Sequence, residues 1–162
     1  MKKIILFLLM FFVTLSTFAQ QSKVYNPAAN AATDIKTAIK RAKAEKKYVL
    51  LQGGGNWCGW CLEFYRLCTS TPELDSLISS NFIWYHLNYS KENKNLDIFE
   101  KYGYPQRFGF PVFIILNEKG ERIHTQNSEY LEDGDKSYDI KKVADFLKSW
   151  SPSSLDPKKY GE

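Results

Sequence analysis

Trp57-Cys58-Gly59-Trp60-Cys61 places two cysteines three residues apart. A short apolar run, Tyr48 to Gln52, leads into the motif and reads as a buried strand, ended by Gly53, Gly54 and Gly55. A helix is expected to open near Cys58 and to run to about Thr69. The pair therefore falls where a strand gives way to a helix. Backbone N–H groups at a helix start have no intrahelical partner and carry the positive end of the dipole. A thiolate held there is stabilised, and its pKa falls. Cys58 is expected at the exposed tip, within reach of an incoming disulfide. Cys61, one turn further in, is placed to attack the resulting mixed disulfide and release the partner. Gly59 is expected to give the turn its freedom, and Trp57 and Trp60 to form an aromatic rim.

Two other uses of the motif stay open on the residues alone. A Cys-x-x-Cys pair can be half of a structural zinc site, but a complete site needs two more ligands. The remaining candidates, Cys68, His86 and His124, are not in paired spacing, so no metal is expected. The pair can also be an inert structural disulfide. Compartment bears on the choice, because disulfide chemistry belongs to oxidising surroundings. Lys2 and Lys3 precede an apolar run from Ile4 to Val13, and small residues follow at Thr17 and Ala19. That order is the pattern of a secretory signal. The alternative is an uncleaved membrane anchor, but the run is short of the roughly 20 residues that a spanning helix needs. Residues 1–19 are therefore expected to be a signal peptide. The protein is expected to be exported, periplasmic or extracellular, with no integral membrane segment after cleavage.

The 162 residues are 44% hydrophobic and 25% charged, with a net charge of +4. The length suits one domain, and the composition excludes wholesale disorder. Three cysteines are too few for a dense disulfide scaffold in a chain of this length. Cleavage after Ala19 would leave 143 residues, with 20 basic against 18 acidic side chains, a net +2. So small an excess gives no argument for nucleic acid as a partner.

Along the rest of the chain, helices and strands alternate. Residues 20–32 read as an extended lead-in. Thr33 is the expected N-cap of a helix through Lys46, with Ile35, Ala38, Ile39 and Ala42 on one face. Thr71-Pro72 opens a short helix to about Ser80. Phe82 to Tyr89 reads as a strand whose apolar residues share no single parity, and Asn95 to Tyr102 as a short helix ended by Gly103. Pro111 to Leu116 and Glu121 to Gln126 make a hairpin across Asn117–Gly120. Asn127 to Lys136 is a polar, acidic loop, where calcium binding is a weak alternative without known ligand spacing. A last amphipathic helix ends near Trp150, and residues 151–162 read as a loose, flexible tail. The sum is an α/β domain with a mixed central β-sheet flanked by helices, over residues 33–150.

With these residues in view, the chain resembles the thioredoxin family. The resemblance rests on Tyr48-Val49-Leu50-Leu51 entering WCGWC, on Phe110-Pro111-Val112-Phe113-Ile114-Ile115-Leu116, and on Gly120 after the turn. It covers about Thr33 to Trp150 and is nearest to exported bacterial members with a helix ahead of the first central strand. The resemblance implies the thioredoxin fold and thiol–disulfide exchange with protein substrates carrying disulfides or thiols. It implies Cys58 as nucleophile and Cys61 as resolving cysteine, with no bound cofactor, since the electrons reside in the pair. A separate redox partner must recycle it. Pro111 matches the family's cis-proline, with Phe110 beside it pairing with an extended substrate segment; a trans Pro111 at an edge strand is the plainer alternative. Reduction is slightly favoured over oxidation. The competing reading is a non-catalytic chaperone or binding module that keeps the pair as a structural disulfide.

Three departures from the family pattern stand out. Gln52 occupies a position where many thioredoxins carry a buried aspartate. Gly59-Trp60 replaces Gly-Pro between the cysteines, and Phe110 is bulky where relatives are smaller. Cys68 lies seven residues after Cys61, about 10 Å along a helix axis, too far to pair with it. It reads as a buried thiol, with capture of a partner as the alternative. Glu63 and Arg66 read as solvated helix face, and His86 and His124 receive no role. Tyr102, Tyr104, Phe108 and Phe110 are candidates for an apolar surface around the cysteines.

Overall fold

The computed structural model describes residues 23–161. The expected signal peptide lies outside the described residues. Helix α1 spans Ala31–Glu45, and its cap is Asn30, whose side chain accepts the Thr33 N–H at 3.1 Å. Thr33 is therefore a first-turn residue and not the cap. Asn30 is an equally good capping residue, and starting there lets Ala31 join Ile35, Ala38 and Ala42 on the buried stripe.

Strand β1 spans Tyr48–Gly54, so Gly53 and Gly54 extend it instead of ending it. The reason is close approach. An ideal Cβ on Gly53 would lie 3.1 Å from both Phe99 and Val112, and one on Gly54 would lie 2.5 Å from Cys61 Sγ. Helices α2 (Gly59–Ser70) and α3 (Pro72–Asn81) carry the chain to β2 (Phe82–Asn88). Thr71 precedes Pro72 as expected but makes no side-chain cap bond. Helix α4 (Leu96–Lys101) follows, then β3 (Val112–Leu116), β4 (Arg122–Asn127) and helix α5 (Ile140–Ser149).

The sheet order is β2-β1-β3-β4. β1 and β2 are parallel, and the other two pairs are antiparallel. Alternation sorts the side chains into two layers. Leu50, Phe113 and Ile115 meet Phe64, Cys68, Leu74, Val143 and Leu147 from α2, α3 and α5. Val49, Leu51, Val112, Ile114 and Leu116 meet α1 and α4 on the other side. Because helices cover both faces, the apolar residues of the strands point both ways, and even the edge strand β2 buries Phe82 and Leu87 on opposite faces.

The polar segment after β4 is more structured than its composition indicates. Ser128–Leu131 forms a 3-10 turn, and Leu131 and Tyr138 enter the core beneath α5. Residues Pro152–Leu155 and Pro157–Tyr160 form two further 3-10 turns, with the Tyr160 hydroxyl donating to Ser154 O at 2.8 Å.

Candidate active site

Strand β1 and helix α2 meet at the cysteine pair. Cys58 is the N-cap of α2, with extended backbone, and its Sγ accepts the Cys61 N–H at 3.2 Å. The sulfur thus takes the place that a Ser or Asp oxygen usually fills at a helix start. The two cysteines are joined as a disulfide, their Cα atoms 5.2 Å apart.

Cys61 is fully buried and Cys58 is only 6% exposed. Cys58 is thus not at an open tip. Tyr25 closes over the pair, with Val24, Trp60 and Phe110 packed around it. The two tryptophans do not form one rim either. Trp57 stands out at 60% exposure, its Nε1 donating to Tyr89 O at 2.7 Å and its ring edge-on to Phe110 at 5.7 Å. Trp60 turns the other way against Tyr138, whose hydroxyl donates to Trp60 O at 3.1 Å. Gly59 is the first helical residue, and a Cβ there would meet nothing within 4 Å. Its freedom is therefore not what shapes the turn.

The Phe110–Pro111 peptide bond is cis. β1 pairs with β3 so that Gly53 faces Val112, and one further step in that register sets Pro111 opposite Gly54. The proline thereby sits across the sheet from the glycine that borders the Cys61 sulfur. Of the other aromatic candidates, Tyr102 is buried in the α1 layer. Tyr104 donates to Glu100 at 2.7 Å, and Phe108 lies under Arg107 at 4.2 Å. Phe110 alone of the four packs on the cysteine cluster.

Polar groups gather beneath the pair. Gln52 is buried, its Nε2 donating to Cys61 O at 2.9 Å and its Oε1 unpartnered. His86 faces Gln52 across the parallel register, and its Nε2 is buried without a partner. Burial pushes the His86 imidazole down to about 4, so it is neutral at pH 7. Tyr25 is edge-on to His86 at 5.4 Å, and its hydroxyl is also unpartnered. Desolvation drives the Tyr25 phenol well above its ordinary range. Asn56 clips the Tyr25 segment to the motif loop. It accepts the Tyr25 N–H at 3.0 Å and donates to Tyr25 O at 2.7 Å.

Sequence reasoning missed Tyr25 and Asn56. The one available signal was a lone aromatic in an otherwise small and polar lead-in. The remaining candidates lie away from the site. Cys68 is a free, fully buried thiol in the α2–α5 layer, pushed up to about 12 by burial and by Asp75. Glu63 holds Arg66 and accepts the Ser137 hydroxyl at 2.6 Å, so it ties a loop to α2. The Arg66 hydrogen bonds hold its carboxyl below the usual range. His124 stacks on Trp150 at 4.0 Å. Among the described residues, no group of three or more His, Cys, Asp and Glu side chains is placed to hold a metal ion. No described helix is long and apolar enough to cross a membrane.

A strand-to-helix Cys-x-x-Cys pair, a facing proline and a four-stranded mixed sheet define a class, and comparison with known proteins agrees. A family model described as thioredoxin-like matches residues 30–118, more than half of the chain. The protein belongs to the thioredoxin-like family. The fold is similar to the crystal structure of a disulphide isomerase from Xylella fastidiosa Temecula1. That similarity has 26% identity and a TM-score of 0.68, over 77% of this chain and 94% of that one. The C-terminal domain of DsbD from Neisseria meningitidis is also similar. Its reduced form gives 18% identity and a TM-score of 0.54 over 74% of this chain and 96% of that one. Its oxidised form gives 16% and 0.51 over 74% and 95%. At those identities the DsbD likeness speaks for the fold alone. No curated protein matches the chain.

Proposed function

We propose that the protein is an exported thiol–disulfide oxidoreductase that exchanges disulfides with protein substrates through Cys58 and Cys61, working in the reducing direction. The observation that carries the reading is Cys58 at the N-cap of α2, its sulfur accepting the Cys61 N–H. A reduced Cys58 there has a donor and the helix dipole to favour its thiolate. The disulphide isomerase similarity supports the same chemistry. The apolar stretch at Ile4–Val13, with its basic head, supports export.

In the reducing direction the Cys58 thiolate attacks one sulfur of a substrate disulfide. A Cys58–substrate bond forms, the substrate S–S bond breaks, and one substrate thiolate leaves. Cys61 then loses its proton and attacks the Cys58 sulfur. The Cys58–Cys61 bond forms, the mixed disulfide breaks, and the second substrate thiolate leaves and takes a proton. Two electrons have passed to the substrate, and an external dithiol partner must return them. Trp57 and Phe110, exposed or half-buried beside the pair, with Pro111 in the next register step, form the surface that an extended substrate would meet.

Cys61→Ser tests this reading. The variant should accumulate mixed disulfides through Cys58, and the wild type should reduce insulin disulfides. Absence of both would mean that the pair is a structural disulfide in a binding module. Equilibration of the pair with glutathione tests the direction. A potential below that of glutathione supports a reductase, and one well above it reverses the assignment.

A further inference from the structure

The resolving step above needs a Cys61 thiolate, yet Cys61 has no exposed surface. Cys68, equally buried on the same helix, is pushed up to about 12, by burial first and by the Asp75 charge second. A donor to the Cys61 sulfur would offset that penalty. Gln52 spends one Nε2 hydrogen on Cys61 O, its Oε1 is an acceptor, and its side chain also borders the Tyr25 phenol. The Tyr138 hydroxyl is committed to Trp60 O.

Tyr25 remains. Its side chain is fully buried in one cluster with Cys58 and Cys61, and its hydroxyl makes no hydrogen bond in the disulfide form, with the Gln52 side chain beside it. An ideal Cβ on Gly54 would lie 2.5 Å from Cys61 Sγ and 2.9 Å from the Tyr25 oxygen. Sulfur and hydroxyl thus border the same small space, which Gly54 keeps open. The Asn56 clip fixes the segment that delivers the phenol. We propose that Tyr25 is the positioning residue for Cys61, its hydroxyl donating a hydrogen bond to the Cys61 sulfur once the pair is reduced. The inference rests on the oxidoreductase reading for its role, though not for its test.

Desolvation keeps the phenol protonated, so it acts as a fixed donor and not as a base. The other titratable groups facing it are His86, neutral above about 4, and Tyr138, itself raised by burial. Tyr65 borders His86 at 5.3 Å. None brings a positive charge to the sulfur at neutral pH.

The experiment titrates the Cys61 thiolate by its ultraviolet absorbance in the full chain carrying Cys58→Ala. Cys68, near 12, stays outside the window. Adding Tyr25→Phe should raise the midpoint by about one to two pH units, the worth of a hydrogen bond to a charged group. Adding Val24→Ala instead, which loosens the same segment and keeps the phenol, should leave the midpoint in place. An unchanged midpoint in Tyr25→Phe, or an equal rise in Val24→Ala, would overturn the proposal. A second measurement needs no change at Tyr25. In the Cys58→Ala protein, the Tyr25 ring carbon bearing the hydroxyl should shift in the nuclear magnetic resonance spectrum with the same midpoint as the thiolate. A resonance indifferent to that titration overturns the proposal too. Failure of the wild type to reduce insulin would sink the oxidoreductase reading and leave both titrations to be judged on their own.

Discussion

Helix α2 carries two fully buried cysteines seven residues apart, in opposite surroundings. Cys68 packs among Leu50, Phe64, Leu74, Leu147 and their neighbours, with the Asp75 charge acting on it. Cys61 sits one heptad nearer the N-terminus, bonded to Cys58, with three unpartnered polar atoms from Tyr25, Gln52 and His86 gathered below the pair. Burial is the same for both, so burial does not set the two apart. Position on the helix and the nature of the lining do. At Cys61 the helix N-terminus and a polar pocket converge, whereas the Cys68 thiol is treated as one more apolar group.

The largest separation between the two should come from Cys61→Ser. Insulin reduction should be abolished, with Cys58 held in mixed disulfides that gel electrophoresis without reductant displays. Cys68→Ala should retain near wild-type turnover. If both variants lose turnover alike, the contrast between the two thiols is wrong.

The polar pocket predicts an acid response. His86 is pushed down to about 4 in the folded chain from an ordinary 6.5. Between those values the unfolded chain binds a proton that the folded chain refuses, so stability rises with pH there. The contribution is fully present above about pH 6.5 and is lost as pH falls through 6.5 toward 4. Its size is about 3 kcal/mol at most. His86→Leu should flatten that limb of a denaturation-midpoint profile taken from pH 7 to pH 4. A limb as steep as that of the wild type would place the acid sensitivity elsewhere, for instance in the Glu63 carboxyl that Arg66 holds ionised.

Gly54→Ala strikes the floor shared by sulfur and phenol. A Cβ would lie 2.5 Å from Cys61 Sγ. Overpacking of that kind costs about 1–3 kcal/mol. A chemical denaturation series should register it together with slower turnover, whereas a substitution that relaxed without either change would show the space to be looser than described. The glycine also marks where sequence reasoning stopped. Tyr48–Leu51 and Val112–Leu116 are legible as strands because their apolar runs are local. WCGWC is legible because its spacing and helix-start chemistry are local too. Gly53 and Gly54 look like a strand terminator until Phe99 and Cys61 are known to approach them. Tyr25 is invisible for the same reason, since Asn56, which fixes it, lies 31 residues away. Leu131 was hidden inside a polar, acidic stretch whose average character concealed a core residue, and Tyr138 joins it from just beyond that stretch.

The smallest expected effect belongs to Cys68→Ala. Removing one sulfur from a packed apolar layer leaves a small void and costs about 1–2 kcal/mol. The loss should appear as a lower denaturation midpoint with the reduction potential of the Cys58–Cys61 pair unchanged. Both readouts matter, because a merely structural thiol moves the first and a redox participant moves the second. Its environment fixes the expectation. With the thiol pushed up to about 12 and no exposed surface, Cys68 offers neither a thiolate nor a path for a partner at neutral pH. A shifted potential in Cys68→Ala would mean that α2 transmits strain from one cysteine to the other. The two sites would then be one coupled unit instead of a reactive end and an inert middle.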